Sequence, residues 1–169
     1  LILTALADIN NEVLEKMFAI DPAKGAQLSL EAAIVQKAGE AGYSVHTRRS
    51  RNDQVMATEQ LYLRDRVIGL LEKMQPLLAA LISLAKDHTG TVMPGYTHMQ
   101  PAKATSFGQW ALAYLNGFTR AIKTITDQYE AYNLCPLGAC ESYGTSWPLD
   151  RVYTADLLGF PTIWEIPQD

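Results

Sequence analysis

Apolar residues recur at three- and four-residue spacings along most of the chain, the period of an amphipathic helix. Over residues 1–19, Ile2, Leu6, Ile9, Val13, Leu14 and Met17 keep this spacing, which predicts a helix stopped near Asp21-Pro22. A shorter helix is expected from Ser29 to about Ala38, ending at Gly39 or Gly42. From Tyr43 to Asn52 the chain turns polar and the period disappears. A long helical pattern then covers Asp53 to Lys86, carried by Val55, Leu61, Val67, Leu70, Leu71, Met74, Leu77, Leu78, Leu81 and Leu84. Pro76 lies inside it and is expected to kink or locally break the helix, because proline lacks the N–H and crowds the preceding turn.

Gly90 to Thr105 holds Pro94, Gly95 and Pro101 and is expected to be an ordered loop. Ser106 followed by Gln109 has the form of a capping box. It opens a helix carrying Phe107, Trp110, Ala111, Tyr114, Phe118, Ile122, Ile125 and Tyr129. Asn133 to Ser146 reads as another loop, and a last helix is expected from near Pro148 to Gly159. Pro161 to Asp169 looks irregular. Neither βαβ alternation nor an internal repeat is visible. The expected fold class is therefore all-α, part of a long-helix bundle. Residues 1–52 are expected to form an N-terminal helical segment ending in a polar loop, and residues 53–169 the first part of a central bundle.

Composition narrows the function classes. With 169 residues, 48% of them hydrophobic, the chain can bury one real core. A formal net charge of -4 and a pI near 5.3 leave no strong basic field for nucleic acid. The most apolar stretch, Val67 to Ala85, is interrupted by Glu72, Lys73 and Gln75, so no membrane span is expected. No basic region precedes Leu1-Ile2-Leu3, hence no signal peptide is expected. A first residue other than Met leads to the expectation that the chain begins inside a longer protein. Cys135 and Cys140 are too few for a disulfide framework, and a cytoplasmic location is expected.

Two polar loops carry the candidate chemistry. The first reads His46-Thr47-Arg48-Arg49-Ser50-Arg51-Asn52-Asp53-Gln54. Arginine forks beside a hydroxyl and an amide, at the start of a helix with its unpaired N–H groups, form a site for a carboxylate or phosphate. The plainer alternative is an N-cap at Asn52 or Asp53 with solvated basic residues around it. The second loop, Met93-Pro94-Gly95-Tyr96-Thr97-His98-Met99-Gln100-Pro101, places Thr, His and Gln between residues that restrain the backbone. Histidine transfers protons near neutral pH, while Thr and Gln hydrogen-bond polar ligands; a structural histidine is the alternative. The four-residue gap between Cys135 and Cys140 is poor zinc spacing, so no metal is expected and the thiols read as small groups lining a turn.

Together the loops resemble the signatures of the argininosuccinate lyase family, within the fumarase/aspartase superfamily. The resemblance rests on His46-Thr47-x-Arg49-Ser50-Arg51-Asn52-Asp53-Gln54-Val55 and on Pro94-Gly95-Tyr96-Thr97-His98-x-Gln100. Pro136-Leu137-Gly138, Asp150-Arg151 and the segment around Glu31 also sit where the family has similar residues. The resemblance implies a partial fumarase/aspartase-type fold and a carbon–nitrogen lyase that cleaves argininosuccinate into arginine and fumarate without metal or organic cofactor. Carried over by position, Ser50, Arg51 and Asn52 bind the dicarboxylate substrate, and Thr97 and Gln100 hydrogen-bond its carboxylates. His98, with Thr97 beside it, is the catalytic group or tunes one, while Arg49 and Asp53 hold the loop in shape. It further implies a homotetramer whose active sites each draw on three subunits. The family's third signature, a flexible serine-bearing loop, is not in this sequence, so the chain alone is expected to be inactive. Arg48 stands where the family usually has glycine, and either narrows the site or points to solvent. A lyase with another fumarate-yielding substrate and a non-catalytic crystallin-like relative remain the alternatives.

Overall fold

The computed structural model describes residues 1–141 and 143–166; Ser142 and the end of the expected irregular tail, from Pro167 on, lie outside them. The fold is predominantly helical, as the periodicity predicts. The chain divides into two compact units. Of the described residues, one unit comprises 1–54 and 137–150 with Glu165 and Ile166; the other comprises 55–136 and 151–164.

In the first unit, α1 (Ile2–Leu14) and α2 (Gly25–Ala38) bury Ala5 and Ile9 against Ile34 and Ala38, with Ile2, Phe18, Ala33 and Val45 packed around them. Helix α1 is shorter than its apolar pattern. The N–H of Lys16 turns back to Val13 O, those of Met17 and Phe18 turn back to Glu12 O, and Lys16 is left-handed at φ 60°. This sharp stop brings Phe18 onto the apolar cluster. Helix α2 begins four residues earlier than expected, and Ser29 lies inside it. Its hydroxyl donates to Gly25 O at 2.8 Å within the helix and accepts from Asp21 N at 3.0 Å. Helix α2 stops at Gly39, at φ 63°, and the expected polar loop begins instead as a 3₁₀ helix, Gly39–His46. Gly42 is required there: a Cβ would stand 2.6 Å from Val35 Cα.

Helix α3 (Arg51–Asp87) contributes its first four residues to the first unit and the rest to the second. It continues through Pro76 without the expected break. The lost hydrogen bond at one position is borne by a cooperative ladder extending many residues on either side. By length and composition alone α3 is long and apolar enough to cross a membrane despite the interruptions in its run, and none of its most apolar stretch is fully buried.

The segment expected to be an ordered loop is a β-hairpin. Strands β1 (Val92–Thr97) and β2 (Gln100–Ser106) pair antiparallel, Val92 opposite Ser106 and Thr97 opposite Gln100, with an irregularity between Pro94 and Tyr96. Helix α4 (Phe107–Tyr132) follows, capped as predicted by Ser106 Oγ, which accepts from Gln109 N at 3.1 Å. The capping box is not closed by Gln109, whose Oε1 accepts from Thr105 Oγ1 at 2.9 Å. Helix α5 (Arg151–Leu157) is followed by Gly159 at φ 68°, the C-terminal stop predicted for it. Arg64 caps this end, donating from Nη1 to Gly159 O and from Nη2 to Leu158 O at 2.8 and 2.9 Å. Between α3 and α4 lies an apolar groove of about 360 Å³ lined in part by Leu63, Val67, Ile125 and Tyr129.

Candidate active site

Ser50, Arg51 and Asn52 sit together where the first unit hands the chain into α3. Ser50 is the residue that caps the helix: its Oγ accepts from Asn52 N at 3.2 Å and its carbonyl accepts from Gln54 N. A hydroxyl in this position satisfies one of the unpaired N–H groups of the first turn. The cap predicted at Asn52 or Asp53 is thus displaced to Ser50, and the Asn52 side chain is exposed. Asp53 is buried, and its Oδ2 accepts from the backbone N–H of Cys140 at 3.2 Å. A carboxylate in a helix's first turn also faces the positive end of the helix dipole.

The Arg51 guanidinium is engaged within the unit. It donates from Nη1 to Glu31 Oε1 and from Nη2 to Glu31 Oε2, the latter at 2.8 Å. Two parallel bonds of this kind fix the plane of the guanidinium. The Arg51 hydrogen bond, and to a lesser degree the charges of Arg51 and His46, hold the Glu31 carboxyl below the usual carboxylate range; the same bond raises the Arg51 guanidinium above its ordinary value. His46 Nδ1 lies 3.1 Å from Glu31 Oε1 without hydrogen-bond alignment. At the helix start Asn52 is exposed, and Ser50 and Arg51 are partly so.

The second group lies in the other unit, at the tip of the hairpin. Thr97 and Gln100 face each other as the last strand pair, and His98 and Met99 form the two-residue turn at φ 49° and 62°. Positive φ at both central positions is the backbone of a type I′ turn, whose twist suits a hairpin and which ordinarily takes Asn or Gly. Two side-chain-bearing residues held there are strained, as residues at functional sites often are. All four of these residues are exposed. The structure therefore brings Thr97, His98 and Gln100 onto one tip, and Ser50, Arg51 and Asn52 onto one helix start.

The cysteines part company. The Cys135 backbone pairs with residues 162–164, its N–H donating to Thr162 O and its O accepting from Trp164 N, whereas Cys140 packs against the first loop. Sequence reasoning missed this contact, because Asp53 and Cys140 lie 87 positions apart and neither sits in a pattern that points at the other. Glu31 had only its place in the family resemblance to mark it.

The model of the lyase family matches residues 2–164. An argininosuccinate lyase of Desulforamulus reducens is 40% identical over 163 residues, covering 96% of this chain and 35% of that protein. The chain thus spans about a third of the length of the curated relatives it matches. The crystal structure of an EDDS lyase in complex with formate superposes with a TM-score of 0.87 at 32% identity, over 98% of this chain and 32% of that one. A fumarate lyase:delta crystallin from Brucella melitensis, bound to cobalt, has a TM-score of 0.77 over 99% of this chain and 42% of its own; at 15% identity it shares the fold alone. With a helical architecture and a family match over nearly its whole length, the chain belongs to the lyase family of the fumarase/aspartase superfamily.

Proposed function

We propose that this chain carries part of the active site of an argininosuccinate lyase, a carbon–nitrogen lyase that cleaves argininosuccinate reversibly into arginine and fumarate. The observation that carries the reading is the 40% identity to argininosuccinate lyases over 96% of the chain, spanning both the α3 start and the hairpin tip. The chemistry asks for groups that hold a dicarboxylate, remove a proton beside one carboxylate and protonate the departing nitrogen. Ser50 and Asn52, at the N-terminus of α3, supply hydrogen bonds and the helix dipole for one carboxylate. Arg51, held in plane by Glu31, contributes its remaining donors and keeps the first helical turn in place. Thr97 and Gln100 hydrogen-bond a carboxylate from either side of the turn, and His98 acts as the proton-transferring group or tunes it. No metal or organic cofactor enters this scheme.

A second reading stays within the superfamily. The likeness to an EDDS lyase, solved also as a variant with bound fumarate, favours another fumarate-yielding amine substrate, and Arg48 in place of the usual glycine alters the loop that would choose it. The experiment is to supply the complete gene product with argininosuccinate, EDDS, adenylosuccinate or aspartate and follow fumarate by ultraviolet absorbance. Fumarate from argininosuccinate far faster than from the others is the expected result. Preference for another substrate establishes the second reading, and no fumarate from any leaves a crystallin-like structural role. His98→Ala and Asn52→Ala are each expected to lower turnover by about 10²–10⁴ with the helical circular dichroism unchanged. Near-normal turnover in both would remove these residues from the mechanism. The same reading makes the whole protein a cytoplasmic homotetramer.

A further inference from the structure

We infer that Arg48 is a positioning residue that clips the Ser50–Asn52 stretch onto Cys140, Trp147 and Pro148. Its side chain reaches across the first unit, donating from Nη1 to Pro148 O at 3.0 Å, while its guanidinium lies 4.4 Å from the centroid of the Trp147 ring. A guanidinium over an indole face is the favourable cation–π arrangement. The Arg48 backbone is held as well, since its carbonyl accepts from Cys140 Sγ at 3.2 Å. Five residues on, Cys140 grips the chain again through its backbone N–H on Asp53 Oδ2. One distant segment therefore fastens both ends of a short stretch, and the candidate substrate residues lie between the two fastenings.

The backbone explains why this is a device rather than an incidental contact. Arg48 sits at φ 61°, a left-handed conformation that glycine adopts freely and an L side chain resists. Glycine at this position would leave the turn unstrained and keep only the backbone contact to Cys140. Arginine accepts the strain and in return ties the loop through a hydrogen bond and a ring contact, neither of which glycine can make. A loop ordered beforehand loses less freedom when it closes on a ligand, so the benefit falls on binding. Interactions made equally in ground and transition state lower KM and leave kcat alone. That the clipped loop holds substrate rests on the lyase reading above; the clip itself does not.

The clip is tested without substrate by hydrogen exchange of the backbone amides of residues 49–52 in the chain and in Arg48→Gly, which suits the left-handed backbone. Exchange faster by about tenfold in the variant, matching a tenfold shift in the local opening equilibrium, is expected; unchanged exchange overturns the proposal. In the complete gene product, Arg48→Gly is expected to raise KM for its fumarate-yielding substrate by roughly tenfold with kcat within about twofold. Trp147→Leu should act in the same direction. The double variant should be no worse than Arg48→Gly alone, because both remove one shared contact. An unchanged KM in Arg48→Gly, or effects that multiply in the double variant, sinks the positioning role. If the gene product releases no fumarate from any substrate, the lyase reading falls, and the exchange result still decides the clip.

Discussion

Glu31 holds the Arg51 guanidinium through both carboxylate oxygens, so the first turn of α3 is tied to α2 by a charge that acid can remove. Its carboxyl titrates below the usual range, chiefly because Arg51 hydrogen-bonds it. A group depressed in this way contributes stability that is complete above the ordinary glutamate value and is lost as pH falls through the depressed one. Urea unfolding at a series of pH values should therefore show stability declining below the ordinary glutamate range. Glu31→Gln should be weaker at neutral pH and flatter in acid; parallel curves for the two proteins would remove the ion pair from the account. Steric fit gives a second residue-scale prediction. A methyl group at Gly42 would stand 2.6 Å from Val35 Cα and 3.1 Å from Ile34 O, neither of which is the far end of a flexible side chain. Gly42→Ala should cost about 1–3 kcal/mol, read as a lower denaturant midpoint, and an unshifted midpoint would mean that the 3₁₀ helix relaxes freely. Little of this was legible in the sequence. Ser50, Asn52 and Asp53 are all competent caps, and only the backbone geometry chooses Ser50.

The hairpin sets the sharpest test among the elements. Met99 sits at φ 62° with no compensation in its own chemistry. A left-handed L residue costs roughly 1–2 kcal/mol, while glycine forfeits roughly 0.5–1 kcal/mol through its freer unfolded chain. Met99→Gly should therefore stabilise the hairpin by about 0.5–1 kcal/mol, seen as slower amide exchange across β1 and β2; faster exchange would show that the turn is held by something other than its dihedrals. The same hairpin shows why some elements escape a reading of periodicity. Most of its residues are exposed, so no alternation of apolar and polar residues is imposed on it. Pro94 and Pro101 mark a loop by composition, yet in a two-stranded ribbon each strand has an open edge that tolerates proline. The turn lacks the Asn or Gly that would announce it. The long helices were legible because their period repeats over many turns. Helix ends were less so, since the stop of α1 at Leu14 and the start of α2 at Gly25 depend on where Phe18 and Ser29 pack.

Across the molecule, α3 presents more apolar surface than this chain covers. Val67, Leu71, Met74, Leu78, Leu81 and Ala85, spaced alternately by three and four, are half-buried, while Leu63, Leu70 and Leu77 recur at intervals of seven on an adjacent stripe and are exposed. On α4, Trp110, Leu112 and Tyr114 are exposed as well. A single soluble chain rarely leaves so much apolar surface in water. Lipid is a poor candidate to cover it, because Arg64, Asp65, Arg66, Glu72 and Lys73 are carried along the same helix and charge at membrane depth is costly. A seven-residue repeat of leucines is instead what a long helix offers to another long helix, knobs into holes. The proposed homotetramer supplies such partners. Leu70→Lys combined with Leu77→Lys should leave helical circular dichroism of the complete gene product near its original value, since neither side chain is buried within the chain. In sedimentation velocity that variant should run as a lighter species than the unaltered protein. Fumarate release should fall with it if the active sites of the proposed homotetramer draw on several subunits. A variant that sediments and turns over as before would place the assembly contacts elsewhere and leave this stripe unexplained.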